Sequence, residues 1–121
     1  MYRLGIILES IENQKALDFI KPYFYSHREE YVESDECSNW HICEYHIEND
    51  NIQAVAEVLK DAVKETWYIH AFEEHTLTVI LKGKYFKLPH KRDRSWIEMI
   101  KYGFKSSKVK KKYLKNIPLH I

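Results

Sequence analysis

The chain has 121 residues, 45% of them hydrophobic, 14% aromatic and 31% charged, with only three Gly and three Pro. That is apolar material for one core, too little length for two ordinary domains, and not the composition of a disordered or disulfide-stapled chain. The net charge of +1 hides an asymmetry, because residues 1–81 hold 6 Lys/Arg against 16 Asp/Glu and residues 82–121 hold 13 against 2. Such polarity favours head-to-tail self-association or an anionic partner at the basic end, unless the two segments neutralise each other within the fold. Apolar runs such as Gly5-Ile6-Ile7-Leu8 fall far short of the roughly 20 residues of a membrane-spanning helix. Glu9 and Glu12 follow too soon for a secretory signal. No membrane association is expected; the expected location is the cytoplasm, where Cys37 and Cys43 would be free thiols.

Residues 2–9 alternate Tyr2, Leu4, Ile6 and Leu8 on one side and add Ile7 on the other, which predicts a central strand partly covered on both faces. Ser10 opens a polar stretch leading into a helix with Ala16, Leu17 and Ile20 at helical spacing, ending near Pro22. A short polar strand is expected at 27–34, a loop at 34–39, and a strand at 40–48 with unusual side chains on both faces. Asn49-Asp50-Asn51 caps a helix whose Ile52, Val55, Ala56, Leu59, Ala62 and Val63 recur every three or four residues. Strands at 67–73 and 77–82 form a hairpin, Gly83 and Lys84 mark a bulge or second tight turn, and 85–88 continues to Pro89. A last helix runs from about Arg92 to Phe104, with Trp96, Ile97, Ile100 and Phe104 facing inward. The expected fold is therefore α+β, a ferredoxin-like βαββαβ sandwich with an added C-terminal hairpin and helix. Residues 1–106 would be its single domain and 107–121 a basic C-terminal tail. A small mixed sheet with helices on both faces is the alternative that the first strand permits.

WYIHAF at 67–72, LTVILKGKYFKL at 77–88 and SWIEMIKYG at 95–103 together resemble a pattern found in small bacterial and archaeal proteins of unknown function. The resemblance implies a soluble prokaryotic-type protein and assigns no catalytic or binding residue. This chain departs from that pattern where it continues into the basic run Lys108–Lys115.

Two constellations carry chemistry. His41 and Tyr45 on one strand, with Tyr68 and His70 on another, would line an aromatic and imidazole surface if both sets faced the same side of the sheet. That surface suits an interaction or regulatory domain that self-associates as a homodimer, and it is the leading functional expectation. The alternative is a nucleic-acid-binding protein using Lys82, Lys84, Arg92, Arg94, Lys108, Lys110, Lys111 and Lys112, with interleaved rings to stack on bases. KGKYFKL at 82–88 faintly resembles the first RNA-contact motif of an RNA-recognition fold, but Lys84 and Lys87 stand where an aromatic residue and Val belong. No metal or cofactor is expected, because the seven histidines are dispersed and none shows the i, i+4 spacing of a zinc-binding helix. No catalytic residue is assigned, since phosphate-loop and nucleophile-elbow motifs are lacking and the adjacent carboxylates point apart, so the sequence leans away from an enzyme.

Overall fold

β1 (Tyr2–Ile7) lies inside a six-stranded antiparallel sheet in the computed structural model, which describes residues 1–33 and 39–121. Its alternation buries Tyr2, Leu4 and Ile6 on one face and turns Arg3, Gly5 and Ile7 to the other. A 3-10 turn at Leu8–Ser10 leads into α1 (Gln14–Ile20), whose Asn13 cap accepts a hydrogen bond from the Lys15 amide at 3.0 Å. Pro22, in a following 3-10 turn, ends the helix as expected. β2 (Phe24–Tyr31) and β3 (Asn39–Ile47) then pair, with a register shift between Phe24 and Ser26. The expected loop falls largely in 34–38 and, with Cys37, lies outside the described residues.

α2 (Ile52–Leu59) is shorter than its apolar pattern, because Ala62 and Val63 enter the core from a turn after the helix. β4 (Ile69–Phe72), β5 (Thr76–Leu81) and β6 (Lys84–Pro89) complete the sheet in the order β2-β3-β1-β4-β5-β6. Gly83 makes the β5–β6 connection a tight turn: its φ is +90°, and a Cβ there would stand 2.8 Å from the Tyr102 hydroxyl. That hydroxyl donates to the Lys82 carbonyl at 2.8 Å, so the glycine lets α3 (Ser95–Ser106) tie down the hairpin.

Two cores share the sheet. α1 and α2 pack Ala16, Ile20, Val55 and Leu59 on Leu4, Ile6, Ile47 and Ile69 of the first face. α3 and α4 (Lys111–Lys115) pack Trp96, Met99 and Leu114 on Phe72, Leu77, Val79, Leu81 and Leu88 of the second. The expectation of one open sheet face is thereby corrected over β4, β5 and β6. β5 is buried along almost its whole length, and a strand apolar on both sides requires cover on both. The expected boundary at residue 106 is also corrected. Val109, Leu114 and Ile117 are 1%, 0% and 2% exposed, so the segment 107–121 is anchored in the second core by these side chains. Gly103 permits this, since a Cβ on it would lie 2.4 Å from Leu114 Cδ1. The inward face of α3 is Trp96, Met99 and Gly103, while Ile97 and Phe104, expected inside, are exposed. Among the described residues no helix is long and apolar enough to cross a membrane.

Candidate functional site

Directly paired residues of antiparallel strands point to the same face, and the register divides the expected aromatic and imidazole surface in two. Leu4 pairs with Tyr45 and Ala71, whereas Gly5 pairs with Glu44 and His70. His41 and Tyr45 therefore face the α1/α2 side, and Tyr68 and His70 face the α3/α4 side. The expectation that the four share a surface is corrected by this one-residue offset in register, which no composition argument reveals. Nor is Tyr45 open: it is 5% exposed, and burial, with Cys43 beside it, pushes its hydroxyl up to about 12. Burial likewise pushes Tyr68 up to about 12. His70 stacks on Phe72 with ring centroids 5.9 Å apart and donates from Nε2 to the His120 carbonyl at 3.1 Å. Burial pulls its pKa down. Ile121 closes on Gly5, where a Cβ would meet Ile121 Cγ1 at 3.0 Å.

The open part of the second face, over β3 and β1, carries an arrangement that sequence reasoning missed. Arg3 donates from Nε and Nη2 to the Glu44 carboxylate, both at 3.0 Å, and lies 5.4 Å from the Phe72 ring centroid. His46 Nε2 stands 2.5 Å from Glu44 Oε2, and Tyr25 stacks on His46 with centroids 3.8 Å apart. The Arg3 hydrogen bonds, opposed by burial and helped by His46, hold the Glu44 carboxyl below its ordinary pKa. The group satisfies a carboxylate that the strand buries to 8% exposure. Its trace in the sequence is Arg3 beside a Glu44-x-His46 alternation.

At the outer end of the first face, beyond the helices, β2 and β3 gather three residues the sequence leaves scattered. Glu29 pairs directly with His41, and His27 lies two residues before Glu29 on the same face. One ligand atom from each of His27, Glu29 and His41 lies within 4.8 Å of the other two. Glu9, from the turn after β1, accepts from the His41 amide and from its Nδ1, both at 2.7 Å. This carboxylate raises the His41 pKa; burial, opposing, would raise Glu9's own, but the His41 hydrogen bonds bring it down. The dispersal of histidines is thus corrected for His27 and His41. The signal for them is a strand period, His-x-Glu, and not the helical spacing for which the histidines were tested.

The basic residues divide by what they touch. Lys82 pairs with Glu12, and Lys108 pairs with Glu65 at 3.1 Å. Among the described residues these are the ion pairs joining 82–121 to the acidic segment, so mutual neutralisation accounts for little of the charge. Arg92 is structural: it donates to the carbonyls of Lys115 at 2.6 Å and Ile117 at 3.4 Å and covers the Trp96 ring at 4.7 Å. Lys84 lies 5.0 Å from the Phe86 centroid, Lys111 lies 4.8 Å from Phe104, and Lys112 lies 5.1 Å from Tyr113. Arg94, Lys101, Lys105 and Lys110 are exposed around them.

Comparison of the chain with protein-family models, with curated proteins and with solved structures finds no match. The assignment of a role therefore rests on these geometries.

Proposed function

We propose that the chain is a nucleic-acid-binding domain whose ligand surface is the outer side of the α3/α4 layer. The observation that carries this reading is the pairing of ring with ammonium at Phe104–Lys111 and Tyr113–Lys112, amid Lys101, Lys105 and Lys110, which have no carboxylate partner among the described residues. Phe104 and Tyr113 are 49% and 50% exposed, so each offers a ring face for a base beside a cation for a phosphate. Lys101, Lys105 and Lys110 extend the positive surface along the backbone path of a single strand. Lys82 and Arg92, candidates on sequence grounds, are committed elsewhere by Glu12 and by the α4 carbonyls.

The ferredoxin-like reading of residues 2–72 is part of the proposal. It is supported by the order β2-β3-β1-β4, in which α1 and α2 each connect two strands that flank a third, antiparallel one. In this reading the N-terminal unit is the scaffold and the added hairpin carries the basic layer.

The test is fluorescence anisotropy of labelled single-stranded RNA and DNA at about 50 and 200 mM salt, a range over which phosphate-driven binding weakens steeply. Binding at the lower salt that weakens on replacing Phe104 and Tyr113 with Ala supports the reading. Absence of binding at the lower salt refutes it. Equal affinity for heparin, with no effect of the two ring replacements, would assign the surface to polyanions in general.

Self-association is a second reading, favoured by the β2 edge. All of β2 is exposed, and it carries Phe24, Tyr25 and Tyr31 at 51%, 62% and 68% exposure. A strand edge with unpaired backbone groups and apolar side chains is a template for a second copy of itself. Light scattering across a concentration series decides this, and a monomer throughout removes it.

A further inference from the structure

We propose that His27, Glu29 and His41 form a binding site for a divalent transition-metal ion at the β2–β3 edge, with Glu9 as the positioning residue for His41. Three independent features of the geometry support the assignment.

The first is spacing. His41 Nε2 stands 3.4 Å from Glu29 Oε1. Two ligands each about 2.0–2.1 Å from a tetrahedral ion are separated by about 3.3–3.4 Å, so this pair already has the required bite. The second is orientation. Glu9 Oε2 holds His41 Nδ1 at 2.7 Å, and Glu9 Oε1 holds the His41 backbone amide at 2.7 Å. With Nδ1 donating to Glu9, Nε2 on the Glu29 side is the nitrogen that would bind an ion. A carboxylate behind a liganding imidazole is the usual support of a histidine metal site. The third is the placement of His27. Its ring lies parallel to that of His41, with centroids 5.6 Å apart and 9° between planes, so the two imidazoles run side by side. His27 and Glu29 are both exposed and belong to an edge strand, so their side chains are free to close the 4.8 Å spread to bonding distances.

Two imidazoles and one carboxylate are a borderline donor set. It suits Zn²⁺, Co²⁺ or Ni²⁺, whereas Mg²⁺ and Ca²⁺ prefer all-oxygen shells. The exposed side of the site leaves room for water as a further ligand. This surface lies on β2 and β3, apart from α3 and α4, so the assignment is independent of the nucleic-acid reading.

The experiment is calorimetric titration of the full, chelator-treated chain with Zn²⁺, with Co²⁺ absorption as a second probe and Mg²⁺ as a control. One Zn²⁺ per chain is expected, with visible Co²⁺ bands and no heat from Mg²⁺. His27→Ala, at an exposed position that leaves folding intact by circular dichroism, should weaken Zn²⁺ binding by more than about tenfold. Glu9→Gln should weaken it by about 10–100-fold, the range found when such supporting carboxylates are removed. Zn²⁺ binding undiminished in His27→Ala, or absent in the native chain at about 100 μM, a concentration that detects even modest affinity, would overturn the assignment. In either case the four residues would be an ion-pair network only.

Discussion

The two charged regions of the chain handle their charges differently. At the sheet, Glu44 is enclosed by Arg3 and His46, and Glu9 spans two nitrogens of His41, so these carboxylates are consumed by neighbours on β1 and β3. In the α3/α4 layer the cations lie against rings or project into solvent, and among the described residues Lys108–Glu65 is the ion pair by which that layer reaches the acidic segment. A carboxylate on a strand is forced by the pleat toward one face and must be satisfied there, whereas an exposed helix side chain has no such obligation. Charge in the first region is committed within the fold, and charge in the second is left facing rings or solvent.

The sharpest way to break this comparison is to ask whether the basic layer is a layer at all. Leu114→Ala removes a fully buried side chain that fills the space left by Gly103, and the destabilisation expected is about 2–5 kcal/mol, read by denaturant unfolding. A solvated tail would show no change.

Next in size is the Arg3–Glu44 pair. Arg3→Ala leaves a nearly buried carboxylate with His46 alone, and because Arg3 is itself half exposed the cost expected is about 1–2 kcal/mol. The pH dependence has a definite sign. Glu44 is held below its ordinary pKa in the folded state, chiefly by Arg3, so its stabilisation is complete above about pH 4.5 and is lost as pH falls through the folded value. Thermal melts between about pH 3 and 7 should show the native chain weakening on acidification and Glu44→Gln losing part of that dependence.

The basic surface should respond in binding and not in stability. Replacing Lys101, Lys105 and Lys111 with Glu removes three exposed cations, and the log–log salt dependence of single-strand binding should flatten by about 2 if each meets a phosphate. Unfolding free energies within about 0.5 kcal/mol of the native chain are expected, as for surface substitutions generally. An unchanged salt slope would place the ligand elsewhere.

Much of the fold was readable from local pattern. Alternation in Tyr2–Ile7, the three-and-four spacing that opens at Ile52 and the interruption at Gly83 each act over a few residues, and each element starts where the pattern places it, although α2 ends before Ala62 and Val63. What pattern misses is set by contacts between distant segments. The register between β1 and its two neighbours puts His70 and Tyr45 on opposite faces, and only pairing decides that. The burial of Val109, Leu114 and Ile117 was masked by the lysines interleaved with them, which dominate the composition although they occupy the other side of the chain. The His27, Glu29 and His41 cluster was hidden for a third reason: it joins a two-residue period on one strand to a partner on the next.

The smallest effect expected is at His70, and it separates the two meanings of a buried imidazole. The ring donates one hydrogen bond to the His120 carbonyl and stacks on Phe72, beneath the chain's last residues. His70→Ala forfeits that bond and some packing, so a loss of about 1 kcal/mol is expected in thermal unfolding. If the ring only secures the C-terminal segment, amide exchange should quicken at residues 117–121 while single-strand binding by α3 and α4 stays unchanged. A binding loss larger than the stability loss would instead show that the C-terminal segment and the basic layer act together. The fold offers a route for it, since Arg92 joins α3's start to the carbonyls of Lys115 and Ile117 on that same segment.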